Sequence, residues 1–182
     1  MVARVRGAEG QEFAVTLEAL RRVVPLCLDA GLGWARNITG CFLTESTMDA
    51  SLHLVHRVGS HSSGVYMGDS AMLRTMEEAV LSGNVELVYK NLSPKHYLVI
   101  VPVVERDRWV LVLVYLQRKV VVASDILLKM KLSEAERLSE RVLPFLHQRR
   151  LIDANSEDIT VKVVTRPCKA NNLAESAVLT LA

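Results

Sequence analysis

The sequence predicts one α+β domain in which helices cover a central mixed sheet. Three runs rich in Val, Leu and Ile follow one another over 97–103, 109–116 and 120–125, with short charged breaks between them. Runs of this length are typical of buried neighbouring strands, because a helix needs a longer segment with a 3.6-residue period. Helical patterns lie before and after these runs. The order of helices, strands and helices again therefore favours an α+β or mixed α/β architecture.

The start of the chain is predicted to be less regular. Residues 1–12 are polar and contain glycine, so we expect a mobile segment here, followed by a single domain over 13–182. Apolar side chains at helical spacing predict a first helix over 16–28, which ends before Gly31 and Gly33.

A second helix is predicted from Thr44 onward. Ser46 or Thr47 can act as its N-cap, and Asp49 lies in the first turn, where the helix dipole favours a negative charge. The apolar face of this helix is expected to consist of Met48, Leu52 and Val55.

A third helix is predicted over 71–81. Asp69 or Ser70 opens it, and Gly83 follows its last turn as a typical C-terminal cap. Residues 85–89 can form a short strand or the approach to one.

The second half of the chain has three further signals. Residues 117–119 are predicted to form a tight turn between two strands. Ser133 and Glu136 form a capping-box signature for a helix that Pro144 must kink or divide. Residues 159–164 then predict another strand.

Composition limits the possible classes of protein. At 182 residues, half of them apolar, the chain can bury a core large enough to fold unaided, and its net charge of +2 gives no strong preference for polyanions. Cys27, Cys41 and Cys168 are widely spaced and odd in number, which favours a reducing, intracellular compartment over a disulfide framework. No aliphatic run approaches the roughly 20 residues that span a bilayer, so we expect no membrane partner.

In the order and spacing of its motifs, the chain resembles the SUMO proteases, adenain-like relatives of papain that process ubiquitin-like modifiers. Pro102 ends a strand as in that family, Trp109 takes the place of the Trp in its His-Trp pair, and Asp125 follows at the distance of its catalytic Asp. Residues 41–55 and 63–73 are similar to the family's early helix and to its next block.

The resemblance covers about residues 34–182 and implies a papain-like cysteine-protease fold of the SUMO-protease type. Arg108 stands at the position of the catalytic His, Ser176 at that of the nucleophilic Cys, and Ala170 at that of the Gln that supports the oxyanion hole. Only Asp125 of the triad is retained. The other matched positions near the nucleophile are Asn172, Glu175 and Ala177.

These departures predict that the chain is not an enzyme. A guanidinium has no acceptor and a pKa above about 12, so Arg108 cannot take a proton from a nucleophile. The hydroxyl of Ser176 needs an adjacent base before it can attack. Losing one oxyanion donor costs about 3 to 4 kcal/mol of transition-state stabilisation. We also expect Arg108 and Asp125 to form a bidentate ion pair across neighbouring strands, which a larger separation in a structure would refute.

Other constellations are weaker. His96 with Tyr97 imitates the His-Trp pair, but that register places Leu113 at the Asp position. Cys168 with His96 could form an independent nucleophilic pair. His53, His56 and His61 have metal-like spacing without a complete ligand set, so no metal and no cofactor are predicted. One helix is basic through Arg137, Arg141, Arg149 and Arg150, and core packing is expected of Met67, Met72 and Met76.

Taken together, the residues and the resemblance predict a pseudoprotease domain that acts as a protein-protein interaction or scaffold module. Its partner would be a ubiquitin-like modifier or a subunit of a larger assembly. The alternatives are an active cysteine or serine hydrolase with a rearranged site and, from another class, a nucleic-acid-binding domain. The resemblance implies a nuclear location, while the sequence alone allows nucleus or cytoplasm.

Overall fold

A computed structural model of the chain describes residues 3–15, 45–59, 64–105, 109–125, 130–153 and 159–164. The helix predicted over 16–28 lies outside them. The described residues form strands and helices in this order: β1 (Ala3–Arg6), β2 (Glu12–Val15), α1 (Glu45–Gly59), β3 (Val65–Met67), α2 (Met72–Ser82), β4 (Leu98–Val104), β5 (Trp109–Tyr115), β6 (Val120–Asp125), α3 (Leu132–Gln148) and β7 (Thr160–Val164). The predicted α+β class is confirmed.

The main sheet has the strand order β3-β4-β5-β6-β7. Its centre is an antiparallel meander, in which β5 pairs with β4 on one side and with β6 on the other. The outer strands β3 and β7 run parallel to their neighbours, and the chain passes through α2 or α3 to make each parallel connection. The three central strands begin and end within one residue of the predicted runs, because a short turn at 116–119 fixes their register locally.

One face of the sheet carries the core. Alternate residues of the central strands point to this face, since side chains alternate between faces along a strand. The buried strand side chains are Val99, Val101, Val103, Val110, Val112, Val114, Val121 and Ala123. They form one cluster with helix side chains that include Met72, Met76, Leu138, Val142 and Phe145. Each of these Val, Leu, Met and Phe side chains contributes about 1.5 to 3 kcal/mol when fully buried. Core packing of Met67, Met72 and Met76 is confirmed, since all three are buried.

The predicted end of α2 is confirmed. Gly83 adopts a left-handed φ of 72°. This conformation lets the N–H of Asn84 donate to Ala79 O at 2.9 Å and that of Gly83 donate to Val80 O at 3.3 Å. Residues 85–89 form turns, so the strand alternative for them is wrong.

The start of α3 differs from its prediction. The N-cap is Lys131, whose N–H donates to Glu134 Oε2 at 3.0 Å. The capping box of Ser133 and Glu136 is therefore wrong by two residues. α3 also runs through Pro144 without being divided, and Pro144 lies on its exposed side.

The hairpin β1-β2 packs against α1, whose predicted face holds the buried Met48 and Leu52. Val5 and Val15 form a small cluster with Ala50. The sequence predicts no strand over 1–12, where the structure has β1 and the first residue of β2.

The turn of this hairpin is bonded to the body of the protein. Glu9 Oε1 accepts hydrogen bonds from Tyr66 Oη and from the N–H of Asn91, both at 2.8 Å. Gln11 Nε2 donates to Asp69 Oδ2 at 2.9 Å. The hairpin is thus held by polar contacts at its turn and by apolar contacts on its strands.

Arg149, at the end of α3, holds the segment between α2 and β4. Its guanidinium, 9% exposed, donates to the carbonyls of Val85, Val88 and Leu92 at 2.8 to 3.0 Å. It also lies 5.9 Å from the ring centre of Phe145. No helix among the described residues is long and apolar enough to cross a membrane.

Candidate functional site at one edge of the sheet

Four strand ends meet at the edge of the sheet where the sequence places the candidate site. Val104 pairs with Trp109, Val110 pairs with Asp125, and Ser124 pairs with Val164. β4, β6 and β7 run in one direction and β5 runs in the other. The C-terminal ends of β4, β6 and β7 therefore lie beside the N-terminal end of β5. We call the residues Val104, Trp109, Asp125 and Val164 the Trp109 edge.

Trp109 is a buried part of this edge, at 3% exposure. Pro102 lies within β4, opposite Leu111, and the strand continues to Val104, so the prediction that Pro102 ends its strand is wrong. The structure explains why a proline is tolerated here. Ile100 O accepts the N–H of Gly68. Pro102, two residues on, faces the same side, where β3 has already ended and no amide hydrogen is needed.

Ion pairs connect the end of β4 with α2 and α3. Glu105, with a side chain 13% exposed, forms a short ion pair with Arg137 and lies 3.7 Å from Arg141 Nη1. Arg141 in turn donates to both carboxylate oxygens of Glu77, at 2.5 and 3.0 Å. This hydrogen bonding to Glu77 raises the pKa of Arg141 above its ordinary value. This series of ion pairs therefore links the end of β4 to α3 and α2.

These contacts bear on the nucleic-acid alternative. The helix predicted to be basic carries Arg137, Arg141, Arg149 and Arg150 at or near its C-terminal half. Arg137 and Arg141 are paired with carboxylates, and Arg149 is held on backbone carbonyls. Three of the four arginines thus serve internal contacts, which weakens the case for a phosphate-binding face.

The structure brings only part of the predicted site into view. Asp125 is the last residue of β6 and pairs with Val110, the residue that follows Trp109 in β5. Arg108 and Ser176 lie outside the described residues, as do Ala170, Asn172, Glu175, Ala177 and the cysteines Cys27, Cys41 and Cys168. The Arg108–Asp125 ion pair therefore stays a prediction.

The remaining histidine candidates lie at the other end of the sheet. His96 comes just before β4, and its Nδ1 accepts the N–H of Ser93 at 3.1 Å. His53 and His56 lie on α1, and His61 is outside the described residues. Among the described part of the chain, no group of three or more His, Cys, Asp or Glu side chains could hold a metal ion.

Asp49 is a buried acid whose role the sequence did not predict. It is 4% exposed, and its carboxylate accepts the N–H and the hydroxyl of Ser70 at 2.7 and 2.8 Å. Burial raises the pKa of Asp49 from 3.8 to about 6, against the effect of the Ser70 hydrogen bonds and helped by the charges of Asp69 and Glu45. Its partner is 21 residues away, so no local pattern could have revealed it.

Comparison with solved structures identifies the fold. Over 98% of its length the chain matches 73% of the C-terminal Ulp1 protease domain, solved in complex with Smt3, the yeast ortholog of SUMO, with a TM-score of 0.68 and 11% identity. It also matches a de-sumoylating protease, with a TM-score of 0.64, 12% identity and coverage of 99% of this chain and 70% of that one. A third match is the Ulp1-like SUMO protease catalytic domain of Chaetomium thermophilum, with a TM-score of 0.54, 12% identity and coverage of 97% and 68%.

No protein-family model and no curated protein sequence matches the chain. The likeness is therefore one of fold, and the fold is that of the SUMO proteases, as predicted.

The same comparison contradicts the prediction that the chain is not an enzyme. The structures that share its fold are those of proteases, and nothing in the described residues shows a loss of activity. The reason for the error is physical. The prediction rested on Arg108, Ser176 and Ala170, which were assigned to catalytic positions by spacing alone, and spacing does not fix which side chains converge in space.

Proposed function

We propose that the chain binds a ubiquitin-like modifier at the Trp109 edge. The observation that supports this proposal is the fold shared with the Ulp1 protease domain, which was solved with a bound SUMO ortholog. Trp109 and Asp125 hold adjoining positions at this edge, in the order that the protease family uses. A role as a subunit of a larger assembly would use the same surface.

The exposed side chains near this edge suit a protein partner. Val104, the last residue of β4, is 44% exposed. Glu105 follows it directly in the chain and is held by ion pairs with Arg137 and Arg141. Apolar side chains next to ordered charged groups are typical of protein interfaces, in which a polar rim surrounds a less polar centre.

The test is a calorimetric titration that measures the affinity of the full chain for purified SUMO and, separately, for ubiquitin. Val104→Asp places a charge on the proposed surface and is expected to weaken binding at least tenfold. Leu87→Asp is the matched control, because Leu87 is 64% exposed but lies near Arg149, at the other end of α3. Leu87→Asp is expected to change affinity less than twofold. No detectable binding at a modifier concentration of about 100 μM would contradict the proposal. Equal weakening of binding by both variants would contradict it as well.

A second candidate function is hydrolysis of the bond at the C-terminus of the modifier. The protease fold and the placement of Trp109 beside the Asp125 strand end favour it. A SUMO derivative with a C-terminal vinyl sulfone would label a cysteine nucleophile covalently, and Cys168→Ala would show whether that residue reacts, whereas Ser176→Ala tests the serine alternative through cleavage of a SUMO fusion. Labelling and cleavage of a SUMO fusion would establish the activity, whereas neither result at high enzyme concentration would remove this candidate.

A further inference from the structure

A cavity of about 330 Å³ lies between β1, α1 and β3, at the opposite end of the sheet from the Trp109 edge. Its polar lining is concentrated in six side chains: Arg6, His53, His56, Tyr66, Asn91 and His96. These groups come from separate parts of the chain, so no local motif predicts them. The volume lies at the lower end of the range found for small-molecule sites.

The polar groups that line the cavity are positively charged or neutral. It contains one guanidinium, three imidazoles and an amide, and none of the lining residues is a carboxylate. Glu9, which follows the lining residue Ala8 in the chain, is an acid close to the cavity, and its carboxylate already accepts hydrogen bonds from Tyr66 and Asn91. Burial, and then the hydrogen bond to Glu9, raise the pKa of Tyr66 above its ordinary value, so the phenol keeps the proton that it donates to Glu9.

Arg6 is the charged donor among the lining residues. Its contact with Glu12 is long, 3.9 Å between Nη2 and Oε1, and the two side chains are 67% and 49% exposed. Exposed ion pairs of this kind contribute between roughly zero and 1 kcal/mol. A guanidinium offers a fork of donors that fits carboxylate and phosphate oxygens.

Two of the imidazoles can supply further donors. His96 Nδ1 lies 3.1 Å from both the backbone nitrogen and the carbonyl oxygen of Ser93, so Nε2 is the ring nitrogen left to contact a ligand, and it donates when it carries the proton. His56 Nε2 is shielded from solvent and has no hydrogen-bond partner among the described residues. A buried ring nitrogen without a partner costs free energy, and a ligand oxygen would remove that cost.

The aromatic rings of the cavity are fixed by their neighbours. His96 meets Tyr66 edge to face, with ring centres 5.4 Å apart, and His53 stacks on Phe13 at 5.2 Å. The rings of Tyr66 and His96 therefore offer aromatic surface beside the N–H donors of the lining.

We propose that this cavity binds a small organic anion, with Arg6, His56 and His96 donating to a carboxylate or phosphate group and the rings of Tyr66 and His96 contacting its organic part. The site is separate from the Trp109 edge, so this proposal does not depend on modifier binding.

The test is an NMR titration of the ¹⁵N-labelled full chain in 150 mM salt, which screens nonspecific attraction. The probes are inorganic phosphate, acetate and phenyl phosphate. Saturable shifts at the amides of Gly7, Asn91 and His96 are expected, with phenyl phosphate binding several-fold more tightly than inorganic phosphate. The comparison of phosphate with acetate shows which oxyanion the site prefers. The absence of a saturable shift with every probe, at probe concentrations of about 20 mM, would overturn the proposal.

Two arginines on the same strand provide a matched pair of variants. Arg6→Met removes the cavity donor and should weaken phenyl phosphate binding about tenfold. Arg4→Met removes the same charge, and Arg4 also pairs with Glu12 and is 60% exposed, but it does not line the cavity. It should change affinity less than twofold. His56→Leu should weaken binding as well, and equal effects of Arg4→Met and Arg6→Met would refute a specific site.

Discussion

At the scale of single residues, the buried carboxyl of Asp49 links folding to pH. Its pKa of about 6 in the folded chain, against 3.8 ordinarily, means that the folded state holds a proton that the unfolded state has released. The resulting stabilisation is complete below pH 3.8 and is lost as pH rises through about 6. The whole difference is about 3 kcal/mol in the free energy of unfolding.

Replacing this acid should remove that pH dependence. Asp49→Asn keeps an oxygen for the N–H of Ser70 and has no proton to lose, so its stability relative to the native chain should rise by about 2 kcal/mol between about pH 4 and pH 7. Urea unfolding at several pH values measures this. Glu78→Gln, at an exposed position on α2, is the control and should show no such rise. Parallel pH profiles for the native chain and Asp49→Asn would show that the carboxyl is not responsible.

A second residue, Arg149, is expected to matter more than its neighbour. Arg149→Met leaves three carbonyls without their donor and should lower the free energy of unfolding by about 3 kcal/mol. Arg149→Lys keeps the charge but cannot reach all three carbonyls, so its loss should be intermediate. Arg150→Met, at an exposed position, should stay within about 0.5 kcal/mol of the native chain. Chemical denaturation ranks the three variants, and an Arg149→Met variant as stable as Arg150→Met would contradict the assignment.

At the scale of elements, the end of α2 depends on the left-handed backbone of Gly83. No atom lies within 4 Å of the point that a Cβ would occupy there, so a substitution is limited by conformation alone. Gly83→Ala should cost about 1 kcal/mol, because alanine rarely adopts a φ of 72°. Gly83→Asn should cost less, since asparagine tolerates this region. Thermal unfolding distinguishes the two, and equal stability of all three chains would show that the cap does not contribute.

Elements governed by neighbouring residues were predictable, and those governed by distant ones were not. The turn at 116–119 and Gly83 act within a few residues, so β5, β6 and the end of α2 follow directly from the sequence. The capping box failed because Ser133 and Glu136 match the motif, whereas the pair that is used has Lys131 at the N-cap, whose side chain cannot accept a hydrogen bond. The β1-β2 hairpin was missed because Glu9 finds its partner 57 residues away, at Tyr66.

The same limit applies to the candidate site. Sequence spacing placed Trp109 and Asp125 at one edge correctly, since the β5-β6 register is local. It did not reveal the ion pairs of Glu105 or the cavity lined by Arg6 and His96, because those residues meet only when separate elements pack together.

At the scale of the whole molecule, the N-terminal hairpin should be a stabilising part of the domain. Glu9→Ala leaves Tyr66 Oη and the N–H of Asn91 without their acceptor and should lower the free energy of unfolding by about 3 kcal/mol. Glu9→Gln retains an accepting oxygen and should cost about 1 kcal/mol. Urea denaturation compares the two, and a negligible effect of Glu9→Ala would mean that the hairpin contributes little.

The arrangement of the five-stranded sheet also has a kinetic consequence. Its central meander closes through short loops, whereas β3 and β7 join only after a helix has been traversed, which costs more chain entropy before contacts form. Val112→Ala, in β5, should therefore slow refolding, while Val161→Ala, in β7, should mainly accelerate unfolding. Stopped-flow measurements separate the two rates. The outer parallel strands would then be the first part of the sheet to open, and the protein would lose its edges before its centre.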